Sequence, residues 1–259
     1  MRQRPLITGA VCALAMAAPA GAQSSGDRVW IDVNFAGAWA AEADFAMNAS
    51  VDRASETADF GANYHLPRSV SFEFGGGFML TPIVGVGVSV GGNVDETPAD
   101  LTARLPHPYF IDAFATAGGT TDIPMQRIER NLDLQVMLVA LRMKRVRVRA
   151  FGGPSYFRIE QDSVTDIVYH QFYFVRSPIN AAELTEYEYE RSHGSGWGFH
   201  AGADCSVFFT RIIGIGGFAK YGSGSIDLEN TVARVLGQAT QVSVKAGGVH
   251  VGGGLRLKF

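Results

Sequence analysis

Apolar and polar side chains alternate along most of this chain with a period of two residues, which is typical of β-strands with one apolar face. In the stretch RVWIDVNF, Val29, Ile31 and Val33 fall on one face, and Asp32 and Asn34 fall on the other. The same alternation recurs in seven further stretches. We therefore predict eight strands, at residues 28–37, 63–79, 83–93, 126–141, 145–161, 190–209, 211–227 and 240–259.

Small residues dominate the polar faces of these strands. In IVGVGVSV, the valines oppose Gly85, Gly87 and Ser89. A solvent-facing surface would carry Lys, Glu and Thr freely, whereas a narrow barrel lumen accommodates small side chains beside a few paired ions. The pattern therefore favours strands that surround a lumen.

The predicted connections alternate between short and long. Short turns span residues 79–83, 141–145 and 209–212, and long polar segments span about 38–62, 94–125, 162–189 and 228–239. Three short turns and four long loops place both chain ends on the short-turn side. The predicted fold is an all-β, eight-stranded antiparallel up-and-down transmembrane β-barrel with short periplasmic turns and long extracellular loops.

Membrane geometry adds two expectations. A tilted strand needs about 9–11 residues to cross hydrocarbon, so the longer strands should project outward as hairpins. The alternation shifts near Gly152-Gly153 and Gly247-Gly248, where we expect β-bulges. The barrel must close, because an open edge in lipid would leave backbone groups unpaired.

The first residues have the features of an export signal. Arg2 and Arg4 precede an apolar stretch too short to span a membrane, and small residues end it at Ala20-Gly21-Ala22. We predict a cleaved signal peptide at 1–22 and one barrel domain at 23–259, located in the outer membrane. The net charge of −3 and the lack of a basic stripe give no reason to expect nucleic acid.

Charged residues on the inward faces are the candidate lumen chemistry. Both signs are present, and buried charges require partners, so we predict an ion network that plugs the lumen. A narrow ion path is the alternative. No Cys or His pair has a metal-ligand spacing, so we expect no metal and no cofactor. The predicted network comprises Asp32, Glu73, Glu129, Asp133, Arg147, Arg149, Asp204, Arg256 and Lys258.

Catalysis has weak support in the sequence. Ser192, His193 and Ser195 lie near the loop end of a predicted strand, but no motif places a third residue beside them. We find no catalytic constellation. A barrel-embedded enzyme that modifies lipids or peptides stays open as an alternative.

Five stretches together resemble the outer-membrane protein β-barrel domain family over about residues 28–259. The resemblance implies an eight-stranded barrel in the outer membrane of a Gram-negative bacterium, and it supplies no catalytic residue. The stretches are RLPHPYF (104–110), AFGGPSYFRIEQD (150–162), GFHAGADCSVFF (198–209), GIGGFAKY (214–221) and AGGVHVGGGLRLKF (246–259).

The last strand also resembles the closing strand of such barrels. Gly254, Leu257 and Phe259 match a terminal pattern of glycine, then apolar residues three and five positions later, the last one aromatic. An alternating strand with a free backbone edge suits recognition by β-augmentation. We interpret these residues as a signal for the barrel assembly machinery.

The expected function is a structural or surface-interaction role, such as envelope integrity, adhesion or resistance. The barrel is then the scaffold and the loops are the contact surface. Aromatic residues in 162–189 form either an interfacial girdle, a hairpin core or a contacting tip. The expected partners are outer-membrane lipid and lipopolysaccharide, the assembly machinery and an extracellular ligand, and the expected state is a monomer. A narrow, porin-like pore is a further alternative.

Deleting Phe259 should lower the amount of folded barrel in the outer membrane, because the assembly signal loses its aromatic end. The measurement is the heat-modifiable band in outer-membrane fractions. An unchanged folded yield would contradict the signal interpretation.

Overall fold

The computed structural model describes residues 28–230 and 241–259, and these ranges contain twelve β-strands. The predicted signal peptide, 1–22, lies outside the described residues and stays a prediction. Among the described residues, no helix has the length and apolar character to cross a membrane. The strands are β1 (Val29–Ala40), β2 (Asp44–Arg53), β3 (Glu56–His65), β4 (Ser69–Met79), β5 (Val84–Thr97), β6 (Ala99–Pro106), β7 (Phe114–Thr120), β8 (Met125–Arg142), β9 (Val146–Phe174), β10 (Ser177–Phe208), β11 (Ile213–Glu229) and β12 (Gln241–Lys258).

Eight strands form a closed antiparallel barrel in the order β1-β12-β11-β10-β9-β8-β5-β4. They match the eight predicted strands in chain order, so the predicted barrel is confirmed. β1 pairs with both β12 and β4, so the sheet has no free edge. At the seam, Phe259 N–H donates to Val29 O at 2.9 Å, and Phe259 O accepts from Arg28 N at 2.6 Å.

The predicted short turns are tight, and they lie at the same end of the barrel as the chain termini. Two of them use a threonine hydroxyl in the same way. Thr81 Oγ1 accepts from Val84 N, and Thr210 Oγ1 accepts from Ile213 N, both at 2.9 Å. A hydroxyl that binds a backbone N–H two or three residues later stabilises a turn without further residues.

The connections at 38–62, 94–125 and 162–189 are long, as predicted, but they contain paired strands instead of polar loops, and the predicted loop at 228–239 lies mostly outside the described residues. Strands β2, β3, β6 and β7 lie in the first two segments and form a separate antiparallel sheet in the order β2-β3-β6-β7, here called the cap sheet. The third segment continues β9 and β10 to a turn at Val175-Arg176 and is here called the tip hairpin (residues 163–190). Alternation is present in β2 and β3, but alanines make up much of the apolar face and weaken the signal.

The two predicted bulges are also absent. The pairing of β9 with β10 runs through Gly152-Gly153, and that of β11 with β12 runs through Gly247-Gly248, without a register shift. Gly247 and Gly248 have φ angles of +85° and +136° instead. Glycine adopts these values at little cost, so the strand bends without an inserted residue.

The larger of the two buried apolar clusters among the described residues lies outside the membrane. It forms where the cap sheet packs against the outer parts of β9, β11 and β12. These outer strand segments supply the barrel side of a two-layer core. Its large members are Phe45, Met47, Phe60, Tyr64, Leu101, Leu105, Phe157, Ile159, Val164, Ile167, Ile226 and Leu228.

Replacing Gly254 by alanine should lower the folded fraction, because a Cβ there would overlap the backbone oxygen of Val33 on the paired strand. Gly217→Ala is the matched control, since its Cβ would lie 3.6 Å from Gly252 O, an ordinary contact. Folded fractions are read from heat-modifiable gel migration after refolding in detergent. Equal yields for the two variants would contradict the steric explanation.

Candidate functional site

The lumen near the periplasmic end contains two arginines alternating with two aspartates. Arg149 donates to Asp32 Oδ2 and to Asp204 Oδ1, each at 2.9 Å. Arg256 donates through Nε and Nη2 to Asp204 Oδ2, at 2.8 and 2.6 Å. These residues come from β1, β9, β10 and β12, so the quartet joins strands around the ring. Charge-assisted bonds of this kind compensate the cost of removing the ions from water.

A second charged group lies closer to the outer end. Lys220 Nζ contacts Glu73 and lies 3.0 Å from Asp133 Oδ2. His200 Nδ1 is 2.8 Å from Ser155 Oγ and 3.8 Å from Asp133 Oδ1. One cation and two carboxylates thus meet in the middle of the lumen.

The third charged group, around Glu129, lies next to the apolar core. Arg127 Nη2 donates to Glu129 Oε2 at 3.4 Å and to Lys245 O at 3.0 Å. Glu129 Oε1 accepts from Gly247 N–H at 2.6 Å. The Arg127 guanidinium also lies 5.8 Å from the ring centre of Phe45 in the cap sheet, so this group connects the barrel to the cap sheet.

All nine predicted network residues point inward, but they do not form one cluster. Arg147 and Lys258 lie beside the ring of Phe208, 5.6 and 4.5 Å from its centre. Three further residues, Arg127, Lys220 and His200, take part in these groups; the sequence alternation also places them inward, but the predicted network of nine does not include them. Their positions in the period-two alternation indicate this, because each lies on an inward strand face, as the residues of the predicted network do.

Little open space separates the arginine–aspartate quartet from the group around Lys220. The cavity between them measures about 20 Å³, which is enough for roughly one water molecule. Its lining includes Asp32, Glu73, Arg149, Asp204 and Arg256. Above them, the inward positions of the strands belong to the outer apolar core.

The group formed by Ser155, His200 and Asp133 does not have the geometry of a nucleophilic triad. Ser155 and Asp133 both face Nδ1 of His200, whereas a triad places the nucleophile and the carboxylate on opposite ring nitrogens. The sequence candidates are separated as well. Ser192 is buried against Ser163 Oγ at 3.1 Å, and His193 and Ser195 are exposed on the outer surface.

The end farthest from the membrane exposes apolar side chains on the tip hairpin and on the neighbouring segment 109–111, here together called the tip patch. It comprises Tyr109, Ile111, Phe172, Phe174, Val175 and Ile179, with Ile111 78% exposed and Phe174 62% exposed. Beneath it, the buried ring of His107 packs edge-on against Phe110 and Tyr173. Exposed apolar patches of this kind often mark contact surfaces.

Polar side chains fix the tip hairpin to the cap sheet. Asn180 Nδ2 donates to Leu105 O at 3.2 Å, and Gln171 Nε2 donates to Pro106 O at 2.9 Å. The Tyr187 hydroxyl accepts from Ile123 N at 3.1 Å. These hydrogen bonds fix the position of the hairpin that carries most of the tip patch.

Tyr64 joins the two layers at the centre of the core. Its hydroxyl accepts from Val164 N at 2.8 Å, and its ring stacks on Phe45 with centres 4.7 Å apart. Burial raises the pKa of Tyr64 to about 12. The side chain therefore stays neutral in the folded cap up to strongly alkaline pH.

Replacing Asp204 by asparagine should destabilise the barrel by about 3–5 kcal/mol, because two buried guanidiniums would share Asp32 alone. The measurement is the temperature at which the folded gel band disappears. Asp59→Asn removes the same charge from an exposed pair with Arg104 and should cost about 0–1 kcal/mol. Equal losses in the two variants would show that the quartet has no special role.

Several solved structures of outer-membrane proteins are similar to the chain in fold. OprG from Pseudomonas aeruginosa aligns with a TM-score of 0.47 and 11% identity, covering 90% of this chain and 96% of OprG. Ail, the attachment invasion locus protein of Yersinia pestis, solved with a heparin analogue, gives 0.37 and 11%, covering 90% and 100%. The outer membrane protease OmpT from Escherichia coli gives 0.37 and 9%, covering 93% and 99%. No curated protein matches the chain in sequence.

The family model "Outer membrane protein beta-barrel domain" matches residues 8–217, which is well over half of the chain. The match agrees with the closed eight-stranded barrel, its short turns and its lipid-facing apolar band. The chain belongs to the outer membrane protein β-barrel domain family and is an outer-membrane protein.

Proposed function

We propose that this protein is a non-transporting outer-membrane scaffold that presents the tip patch for contact with a protein outside the cell. The observation that carries the proposal is the patch itself. Six apolar side chains are exposed at the end farthest from the membrane, on segments that part-buried side-chain hydrogen bonds join to the cap sheet. Exposing them to water is unfavourable, and a contact that buries them recovers that free energy.

The composition of the patch supports a protein partner. Its members are aromatic and aliphatic side chains, and the charged residues Asp112, Arg176 and Glu183 lie close to them in the sequence. An apolar, aromatic-rich centre with a polar rim is typical of protein–protein interfaces. A surface that enters lipid would require a broader apolar face.

The lumen supports a scaffold role for the barrel. The charged groups pair with one another, and the cavity among them holds roughly one water molecule. A conducting path would require these ion pairs to separate, at the cost of exposing charges to a low-dielectric interior. The proposal includes no catalytic step and no cofactor, and it takes the protein to act as a monomer embedded among lipopolysaccharide.

The triple variant Phe172→Ser, Phe174→Ser, Ile179→Ser should lose contact activity without losing the barrel. Bacteria producing the protein are tested for retention on glass coated with collagen, with laminin or with an alkyl silane. We expect retention on a protein-coated surface to fall several-fold in the variant. Ile123→Ser with Val168→Ser is the control, since both residues are exposed and lie outside the patch.

Two outcomes would contradict the proposal. The first is retention that the tip variant leaves unchanged, or that never exceeds the level of cells lacking the protein. The second is discrete channel conductance of the purified protein in planar bilayers, which would favour a pore.

A further inference from the structure

Two arginines lie directly opposite each other on the lipid-facing side of the barrel. Arg130 of β8 and Arg158 of β9 are register partners, and their side chains are 57% and 54% exposed. Like charges directly opposite each other on neighbouring strands destabilise a sheet. Their position therefore needs a compensating negative charge.

The protein supplies only part of that charge. Glu160 is the carboxylate that pairs with both arginines among the described residues, and both reach the same oxygen. Arg130 Nη1 lies 2.8 Å from Glu160 Oε1, and Arg158 Nε lies 3.4 Å from it. Two guanidiniums and one carboxylate leave a net charge of +1 and several unused N–H donors.

The pair lies directly above the apolar band. The cross-strand row one step towards the membrane consists of Val90, Leu132, Tyr156 and Trp197, in register across four strands. Tyr156 and Trp197 meet edge-on with ring centres 5.3 Å apart. Aromatic rings in this position mark the level of the lipid headgroups.

The neighbours in the arginine row are small. Gly92 is the partner of Arg130 on β5, and Ser195 is the partner of Arg158 on β10. No large side chain therefore flanks the guanidiniums within their row, and a bulky headgroup can approach them from either side.

We propose that Arg130 and Arg158 form a binding site for the phosphate headgroup of an outer-leaflet lipid. The planar guanidiniums donate to the phosphate oxygens, and an acyl chain of the same lipid lies along Leu132 and Tyr156. The lipid phosphate supplies the missing negative charge. This site is independent of the tip patch, which lies at the far end of the molecule.

Quenching of Trp197 fluorescence tests the site in the intact protein. Trp39→Phe is the background, because Trp39 also faces outward, and the buried Trp30 contributes a constant signal. The protein is placed in phosphatidylcholine nanodiscs that contain dibrominated phosphatidic acid or dibrominated phosphatidylcholine. We expect roughly five-fold enrichment of the anionic lipid beside Trp197, the ratio that one net charge gives near a membrane surface.

Arg130→Gln with Arg158→Gln should reduce that enrichment to about one. Arg145→Gln with Arg211→Gln removes the same charge from the periplasmic turns and should leave the enrichment intact. Gel migration establishes that each variant is folded, and Trp197→Phe establishes the source of the signal.

Three results would overturn the proposal. One is equal quenching by the two lipids. Another is an enrichment that survives Arg130→Gln with Arg158→Gln, or that falls equally in Arg145→Gln with Arg211→Gln. The third is loss of the enrichment on adding inorganic phosphate, which would assign the site to free phosphate.

Discussion

The structure depends on the requirement that every backbone N–H and C=O inside hydrocarbon finds a partner within the protein. Water cannot supply one there, so the sheet must close on itself. Closure explains why β1 pairs on both sides and why Phe259 bonds to the first described residues. It also explains why β12 has glycine at positions 252 and 254, because a side chain at either position would overlap the backbone of β1. Once closed, eight strands leave a lumen that side chains must fill.

Lipid and water then require different interiors in the two parts of the molecule. Within the membrane the apolar side chains face outward to lipid, so the lumen receives the polar ones, and the charges among them must pair. Beyond the membrane the same strands face water, and the inward positions become apolar. On β9 the inward sequence passes from Arg147 and Arg149, through Ser155, to Phe157 and Ile159. The cap sheet covers this apolar face, which the barrel alone would leave open.

The sequence predicted the barrel well because lipid imposes a strict alternation over the whole spanning region. Strand order, turn positions and the inward face all follow from it. The cap sheet was missed because its strands are short and alanines such as Ala58 and Ala62 interrupt the large apolar residues of their buried faces, and alanine is a weak marker of burial. The grouping of the charges was beyond sequence reasoning. Parity places Asp32 and Arg149 inside, but their contact depends on the stagger of strands that are 117 residues apart in the chain.

The length of β9 and β10 has a mechanical consequence. These strands are continuous over 29 and 32 residues and join the lumen to the outermost turn. The part beyond the membrane, from Tyr156 to Phe174, corresponds to roughly 60 Å of extended chain at about 3.3 Å per residue. A pull on the outermost turn acts along both strands in the same direction, so it loads the hydrogen bonds that join them to β8 and β11 in the barrel wall in parallel, as shear. Tension applied at the turn therefore passes into the barrel wall and does not open the bonds between β9 and β10 one at a time.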